Sequence, residues 1–349
     1  MSWEDKVRKV VPYVPGEQPG FADMVKLNTN ESPYPPSPLV AEELKLMEAE
    51  EMRLYPDPEA TQLTAALASY YHTDSDHIHV GVGSDDVLSQ IFLAFFTNGE
   101  QILFPEITYS FYEVWADLYR IPYRKIALHE DWSLPAEAFR SEGGIIFPNP
   151  NAPTGLCESR EFVRTVAANN PDCVVVVDEA YIDFGGESAA PLTEEFDNLL
   201  VVQTFSKSRA MAGMRIGFAI GSPKLIAALK AVKYSINSYT MSRAAIRLGL
   251  AALRDEKYFK KITGDIMSTR ERVKTELQKL GFVFPDSKAN FIFARHPRIP
   301  GKELYELLRS QNIFVRHFDT PLLTDYLRIT VGTDEQMDRL LDFLRVYLG

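Results

Sequence analysis

The feature that most constrains this chain is a series of short, almost wholly apolar segments that alternate with segments of helical periodicity. Strands are predicted at 101–104, 123–128, 144–147, 173–177, 199–203 and 215–220, and helices between them include 109–119 and 158–168. Strands that are apolar on both faces and alternate with helices are typical of a mostly parallel sheet covered by helices. The sequence therefore predicts an α/β fold for the larger part of the chain.

Three regions differ in pattern, and each is predicted to be a separate unit. Residues 1–36 contain six prolines and little periodicity, which is typical of an extended arm. Further helices are predicted at 37–52, 60–71, 240–254 and 255–279; after Gly281, strands at 289–294, 313–316 and 326–330 mix with helices at 302–311 and 334–347. We predict an N-terminal arm (1–36) packing with the small domain, a large cofactor-binding domain (37–265) and a small C-terminal α+β domain (266–349).

Composition excludes several classes of function. The net charge of −11 argues against nucleic acid as a partner, because binding a phosphate backbone requires a basic face. Cys157 and Cys173 make no disulfide framework and suit a reducing cytosol. Neither a signal peptide nor an apolar run of about 18 residues is visible. We therefore expect a cytoplasmic protein that does not bind membranes.

Residues 204–215 (TFSKSRAMAGMR) place Lys207 among hydroxyl-bearing and small residues, and the apolar run 174–177 ends at Asp178. A lysine can form a Schiff base with an aldehyde, and an acid can keep a ring nitrogen protonated, as a pyridoxal phosphate (PLP) site requires. Thr204, Ser206 and Arg215 could carry the cofactor phosphate. Alone, the lysine would be an ordinary surface residue and the acid a strand end, but their order along the chain favours PLP.

Other candidate ligands also follow predicted strands, where open parallel sheets bind their ligands. Ser84 and Asp85 lie in GVGSDD (81–86) before an apolar helix, whose N-terminus would favour a phosphate. Asn151, in the proline-rich turn 148–155, and Tyr181 could both contact the phenolic oxygen of PLP. Tyr109 could stack on the PLP ring, although an aromatic residue at a helix start is more often part of the core.

Two arginines, Arg316 and Arg328, each interrupt an apolar strand of the small domain. They could form structural salt bridges, but as a pair they resemble anchors for an anionic substrate. Three histidines could suggest a metal site. His72, His77 and His79 are interleaved with acids but match no common metal-ligand pattern. We expect a solvated loop there and no metal site.

The chain resembles the fold-type I PLP aminotransferases, and specifically the histidinol-phosphate aminotransferase family. The resemblance covers nearly the whole sequence, and it is carried by these segments: VPYVPG (11–16), LNTNESP (27–33), RLYPDP (53–58), TYSFY (108–112), NAPTG (151–155), DEAY (178–181), the lysine segment and LRITVG (327–332). Two positions depart from the usual family motifs: Ala152 stands in place of a second asparagine, and Ser32 stands in place of a third-position asparagine.

The resemblance implies a role for each matching residue. Lys207 would bind PLP, Asp178 its ring nitrogen, and Asn151 with Tyr181 its phenolic oxygen. The phosphate-site positions are Ser84, Asp85, Thr204, Ser206 and Arg215, with Tyr55 reaching the cofactor phosphate of the neighbouring subunit in a homodimer. Arg328 would bind the substrate carboxylate, Arg316 a substrate phosphate, and Tyr13 would join them from the arm.

The implied reaction is the ping-pong transamination of L-histidinol phosphate with 2-oxoglutarate, which gives imidazole acetol phosphate and L-glutamate in histidine biosynthesis. Three alternatives stay open at the level of sequence. One is threonine-phosphate decarboxylase, whose lysine segment is very similar, and another is a broad aromatic aminotransferase. The third is a non-enzymatic effector-binding domain, which normally accompanies a basic DNA-binding module that this chain does not display.

Overall fold

The computed structural model describes residues 2–20 and 23–349, which contain two sheets. The larger sheet has seven strands: β2 (Ile78–Val82), β3 (Ile102–Pro105), β4 (Tyr123–Ile126), β5 (Ile145–Pro148), β6 (Val175–Asp178), β7 (Leu199–Thr204) and β8 (Ile216–Gly221). Their order is β2-β8-β7-β6-β5-β3-β4, and only β8 runs antiparallel to its neighbours. The predicted mostly parallel α/β sheet is therefore confirmed.

Ten α-helices surround the two sheets in the described residues. They are α1 (Pro38–Lys45), α2 (Thr61–Tyr70), α3 (Gly83–Phe95), α4 (Phe111–Tyr119), α5 (Arg160–Ala168), α6 (Pro223–Ile236), α7 (Arg243–Arg254), α8 (Glu256–Lys279), α9 (Gly301–Ser310) and α10 (Asp334–Leu348). Both faces of the large sheet are covered, since β6 sends Val175 and Val177 into one apolar core and Val176 into the other. This two-sided burial explains why the central strands are almost wholly apolar, whereas the edge strand β4 exposes Arg124 and Lys125.

The smaller sheet joins the two ends of the chain. Its order is β1 (Val25–Leu27), β10 (Ile313–His317), β11 (Leu327–Thr330) and β9 (Phe291–Ala294), with β1 parallel to β10 and the other pairs antiparallel. The arm thus supplies the edge strand of this sheet. α8 runs without a break across residues 265 and 266, where the sequence pattern places the boundary between the large and small domains. That boundary stays a prediction.

Local patterns missed or misplaced several elements. β1 and α6 were not predicted, and β1 has only three residues within a proline-rich stretch. The helix predicted over 37–52 ends at Lys45, since Glu48 is extended and residues Ala49–Arg53 form only a 3₁₀ turn. α4 begins at Phe111 rather than at 109, so Tyr109 lies in the turn before it.

The expectation of a solvated histidine loop is wrong for His79. This residue lies in β2, is buried, and its Nε2 atom is 2.7 Å from Oε1 of Gln90. Burial lowers the pKa of His79 to about 4, so the imidazole is a neutral core group at physiological pH. Within 2–20 and 23–349, no cluster of three or more metal-ligating side chains occurs, and none of the helices has the length and apolar character needed to span a membrane.

Candidate active site

Most of the predicted site residues meet in one cleft at the carboxyl ends of β6 and β7. Twelve of the fourteen line it: Tyr13, Ser84, Asp85, Tyr109, Asp178, Tyr181, Thr204, Ser206, Lys207, Arg215, Arg316 and Arg328. Asn151 and Tyr55 do not.

Lys207 follows β7 directly, in a turn fixed by its own hydroxyl groups. The Thr204 hydroxyl lies 3.1 Å from the carbonyl oxygen of Ile216 and 3.0 Å from Oγ of Ser206. The Lys207 amine donates a hydrogen bond to the carbonyl oxygen of Thr29 at 3.3 Å. Burial, reinforced by the charge of Arg328, lowers the pKa of Lys207 to about 8. About a tenth of the amine is therefore unprotonated at pH 7, far more than for an exposed lysine, and can act as a nucleophile or base.

Asp178 ends β6 and is buried beneath the cleft. Its Oδ2 accepts a hydrogen bond from the hydroxyl of Tyr112 at 2.9 Å, and its Oδ1 accepts one from the backbone N–H of Ala180 at 3.2 Å. Burial raises the pKa of Asp178 to about 6, while the Tyr112 hydrogen bond acts in the opposite direction. The carboxylate is thus largely ionised at neutral pH and could accept a hydrogen bond from a protonated ring nitrogen.

Tyr112 was not among the predicted site residues. It is fully buried on α4, and its partner Asp178 lies 66 positions further along the chain. The sequence showed only an apolar-facing aromatic residue within TYSFY (108–112), which is typical of a core position. Tyr112 belongs to the site because its hydroxyl donates to Asp178. A local sequence pattern does not predict the acceptor of a buried hydroxyl.

The residues predicted to hold a phosphate lie around the N-terminus of α3. Arg215 donates a hydrogen bond to Asp85 at 2.9 Å, and the first N–H groups of α3 lack acceptors within the helix. β8 passes very close here, since a Cβ atom at Gly217 would lie 2.2 Å from the backbone nitrogen of Ser84. Only glycine permits this approach. The hydroxyls of Thr204 and Ser206, the Arg215 guanidinium and the helix N-terminus together could hold an anion.

Aromatic residues form one wall of the cleft. The hydroxyl of Tyr109 donates to Oδ1 of Asp85 at 2.8 Å, and burial together with this acid raises the pKa of Tyr109 well above its usual value. The ring of Tyr13 stacks on that of Phe111 with centroids 4.2 Å apart. The arm is thereby held against the start of α4, and Tyr13 lines the cleft.

Asn151 lies behind the wall of the cleft, next to Ala152. Its Nδ2 donates to the carbonyl oxygen of Ile107 at 3.0 Å and to Oγ1 of Thr154 at 3.2 Å, while its Oδ1 is buried without a hydrogen-bond partner. A buried acceptor left unpaired is costly. Asn151 thus has one unsatisfied polar atom, but it does not line the cleft.

Arg316 and Arg328 are direct cross-strand partners in β10 and β11. Arg328 donates to the carbonyl oxygen of Asn28 at 3.1 Å, and Arg316 donates to that of Val14 at 3.3 Å. Neither forms an ion pair with any described acid, which argues against the structural salt-bridge alternative. Desolvation lowers the pKa of Arg328. Two neighbouring guanidinium groups without carboxylate partners, both facing the cleft, form a site for an anion.

Tyr55 lies away from this cleft. Its side chain is 78% exposed and stacks on the ring of Tyr239, with centroids 4.6 Å apart. Half of the exposed large apolar side chains of the described chain fall in this region, in 39–55 and 234–239: Leu39, Leu44, Leu46, Met52, Leu54, Tyr55, Tyr234, Ile236 and Tyr239. A concentration of this kind is typical of a surface that another chain covers.

Comparisons with known proteins identify the family of the chain. Residues 22–344 match the family model for aminotransferase class I and II. The histidinol-phosphate aminotransferase of Lactococcus lactis subsp. cremoris (strain SK11) is 50% identical over 349 residues, which is 100% of this chain and 98% of that protein. The one from Clostridium beijerinckii is 48% identical over 348 residues, covering 99% and 97%.

A solved structure extends the comparison to a bound cofactor. The histidinol-phosphate aminotransferase from Sinorhizobium meliloti, determined in complex with pyridoxal-5′-phosphate, superposes with a TM-score of 0.80 at 25% identity. The superposition covers 92% of this chain and 91% of that one. The likeness therefore extends over most of the length of both chains.

Proposed function

The chain belongs to the class I and II aminotransferases and, within them, to the histidinol-phosphate aminotransferases, and we propose that it transaminates L-histidinol phosphate with 2-oxoglutarate. The products are imidazole acetol phosphate and L-glutamate, formed in two half-reactions of a ping-pong sequence in histidine biosynthesis. The observation that carries the proposal is that a lysine amine, a buried carboxylate and two unpaired arginines open into the same cleft.

Pyridoxal phosphate fits the residues of this cleft. Lys207 supplies the amine, Asp178 the buried acceptor for a protonated ring nitrogen, and Tyr181 a hydroxyl donor for the phenolic oxygen. Ser84, Asp85, Thr204, Ser206 and Arg215 supply the phosphate site. When bound, PLP supplies an electron sink that makes the proton on the substrate Cα acidic.

The protein groups then have separate tasks. The Lys207 amine takes the Cα proton and returns it, a role that its lowered pKa supports. Asp178 stays ionised because Tyr112 donates to it, and so it holds the ring-nitrogen proton in place. Tyr181, whose oxygen already accepts a hydrogen bond from Asn30, keeps its own proton for the phenolic oxygen of PLP.

Two unlike substrates must use the same arginines. L-Histidinol phosphate carries a phosphate where glutamate carries its α-carboxylate, and both groups are anions attached on the same side of the reacting carbon. Arg328 serves both, while Arg316, its cross-strand partner, adds the second positive charge that a phosphate dianion needs.

The test is a single-turnover absorbance spectrum of the PLP-loaded protein mixed with L-histidinol phosphate in the absence of a keto acid. We expect the visible cofactor band to convert to that of the aminated cofactor, and 2-oxoglutarate to reverse the change. Conversion by phenylalanine or tyrosine alone would indicate an aromatic aminotransferase. Release of carbon dioxide from threonine phosphate would indicate the decarboxylase, and binding without any turnover would indicate an effector-binding protein.

We further propose a homodimer in which Tyr55 completes the phosphate site of the partner subunit. Its distance from its own cleft and the exposed apolar surface around it support this arrangement. Co-expression of Tyr55→Ala and Lys207→Ala chains tests it, because a hybrid dimer contains one intact site. We expect roughly a quarter of wild-type activity from a statistical mixture of dimers. Activity no greater than the two homodimers supply, or a monomer by light scattering, would contradict it.

We also propose a cytoplasmic location. Cys157 and Cys173 are both free thiols, and burial raises the pKa of Cys157 to about 12 and that of Cys173 to about 11. Thiols of this kind suit a reducing compartment, as does a biosynthetic role. Fractionation of the native host, followed by immunodetection in the cytosolic fraction, tests this.

A further inference from the structure

Three consecutive residues of the arm contact three different functional groups of the cleft. The carbonyl oxygen of Asn28 accepts a hydrogen bond from Arg328, and that of Thr29 accepts one from Lys207. The side chain of Asn30 donates from Nδ2 to the hydroxyl oxygen of Tyr181 at 3.0 Å. The segment that follows β1 therefore lies between the anion-binding arginine and the groups assigned to the cofactor.

Asn30 is held more firmly than its neighbours. Its backbone N–H donates to Oγ1 of Thr330 at 3.0 Å, its Oδ1 accepts from the same hydroxyl at 3.0 Å, and its carbonyl oxygen accepts from Asn290 at 3.0 Å. It is 1% exposed and has a φ of +56°, in the left-handed region that asparagine tolerates. All four of its polar groups are therefore engaged within the buried interior.

The pairing with Thr330 also fixes which way the amide points. The Thr330 hydroxyl accepts the Asn30 N–H, so its own proton is left for Oδ1 of Asn30, and Nδ2 must face Tyr181. Thr330 lies two residues after Arg328 on β11, on the same face of the strand. The strand that carries the anion-binding arginine thus also anchors the residue that contacts Tyr181.

We propose that Asn30 is a positioning residue for Tyr181, set by Thr330, and that it turns the phenol proton of Tyr181 toward the phenolic oxygen of PLP. This inference rests on the proposed function. When the Tyr181 hydroxyl accepts a hydrogen bond from Asn30, it becomes a stronger donor and its proton is oriented, since hydrogen bonds in a chain polarise one another. A stronger donor stabilises the negative charge on the cofactor oxygen, and so lowers the pH at which the visible band of the lysine-bound cofactor titrates.

Several fixed charges also face Tyr181, and they remain in any variant of Asn30. Arg328 from β11, Asp178 from β6 and Asp85 from α3 act on it, and the Lys207 amine lies 5.9 Å from its ring centroid. Burial raises the pKa of Tyr181, while Arg328 and the Asn30 hydrogen bond act in the opposite direction. Because the charges are unchanged, a shift seen in an Asn30 variant reports the hydrogen bond.

The experiment is a spectrophotometric pH titration of the PLP-loaded Asn30→Gly variant. Glycine accepts the left-handed backbone, so the change removes the side chain without strain. We expect the titration midpoint to rise by roughly half a pH unit, which corresponds to the loss of one neutral hydrogen bond. Thr330→Val, which leaves Asn30 in place but unanchored, should shift the midpoint in the same direction by less. kcat should fall in both variants more than KM rises.

Ser32→Ala is the matched control, because Ser32 lies in the same arm segment and its hydroxyl bonds only the N–H of Tyr34 among the described contacts. Its midpoint should equal that of the wild type. A purely structural role for Asn30 would lower the melting temperature or the PLP content without moving the midpoint, and that result would overturn the inference. Absence of the band from the wild-type protein would instead overturn the proposed function, and this inference with it.

Discussion

The two sides of the cleft are built in opposite ways. On the large-sheet side, Asp178 and Lys207 stand at the ends of adjacent parallel strands, and the segments that carry them lie about thirty residues apart. On the other side, Arg328 and Thr330 meet Asn28 and Asn30 across 300 positions of sequence. The large-sheet side, which we propose binds the cofactor (the cofactor side), is therefore assembled by neighbouring strands. The other side, which we propose binds the substrate (the substrate side), depends on the arm and the C-terminal sheet coming together.

The two sides also differ in how their charges are satisfied. Asp178 and Asp85 on the large-sheet side have donors within the protein, from Tyr112 and from Arg215. The guanidinium groups of Arg316 and Arg328 find only backbone carbonyl oxygens. Pre-paired groups suit a cofactor that stays bound through every turnover. Cations without anionic partners suit substrates that arrive and leave, because no internal ion pair has to be broken first.

The largest effect should come from the cofactor side. Lys207→Ala removes both the covalent attachment point and the base, and we expect transamination to fall by at least about a thousandfold. The visible band of the attached cofactor should disappear as well. Lys233→Met is a matched control, since Lys233 is also a buried lysine with a lowered pKa but bonds the carbonyl oxygen of Pro58 outside the cleft. Retention of the band in Lys207→Ala would refute the assignment.

The acidity of Lys207 gives a pH prediction. Only the unprotonated amine attacks an aldehyde, so the rate at which the cofactor-free protein captures PLP should rise about tenfold per pH unit up to about 8 and then level off. This sign follows because burial lowers the pKa and makes the free amine available at lower pH. Stopped-flow absorbance measures the rate. A rate that keeps rising to pH 10 would show that Lys207 has the acidity of an ordinary exposed lysine.

The contrast explains what the sequence could and could not predict. Lys207, Asp178 and the large sheet follow from local patterns, since apolar runs and the polar residues after them are contiguous in the chain. Tyr112 and Asn30 do not, because the hydrogen bond that joins each of them to Asp178 or Tyr181 spans 66 or 151 positions of sequence. β1 was missed for the same reason: three residues become a strand only when β10 pairs with them. The sequence could therefore predict those site residues that lie in contiguous sequence patterns, but not those that depend on long-range contacts.

The substrate side can be tested through its choice of anion. Arg316→Ala should lower kcat/KM for L-histidinol phosphate about tenfold or more, because a charged hydrogen bond to a dianion is lost. Aromatic amino acids, which present a single carboxylate to Arg328, should lose less. Arg345→Ala on α10, where the arginine pairs with Glu276 and Asp342, is the surface control. Equal losses for both substrate types would mean that Arg316 has no specific role in binding the phosphate.

The smallest effect should come from Tyr112, which contacts no substrate and acts on the pKa of Asp178. Tyr112→Phe removes the hydrogen bond that opposes the burial of Asp178, so the pKa of Asp178 should rise above its value of about 6. Less carboxylate is then ionised on the acid side, and kcat should fall several-fold, more at pH 6 than at pH 8.

Tyr119→Phe provides the comparison within the same helix. Tyr119 also lies on α4, and its hydroxyl is 2.6 Å from that of Ser89, so the variant loses a similar hydrogen bond away from the cleft. We expect its pH–rate profile to match that of the wild type. If both variants lose the same activity at every pH, Tyr112 stabilises the helix and does not tune Asp178. If only Tyr112→Phe shifts the acid side of the pH–rate profile, Tyr112 belongs to the functional residues of the cofactor side, although it does not follow a strand of the large sheet.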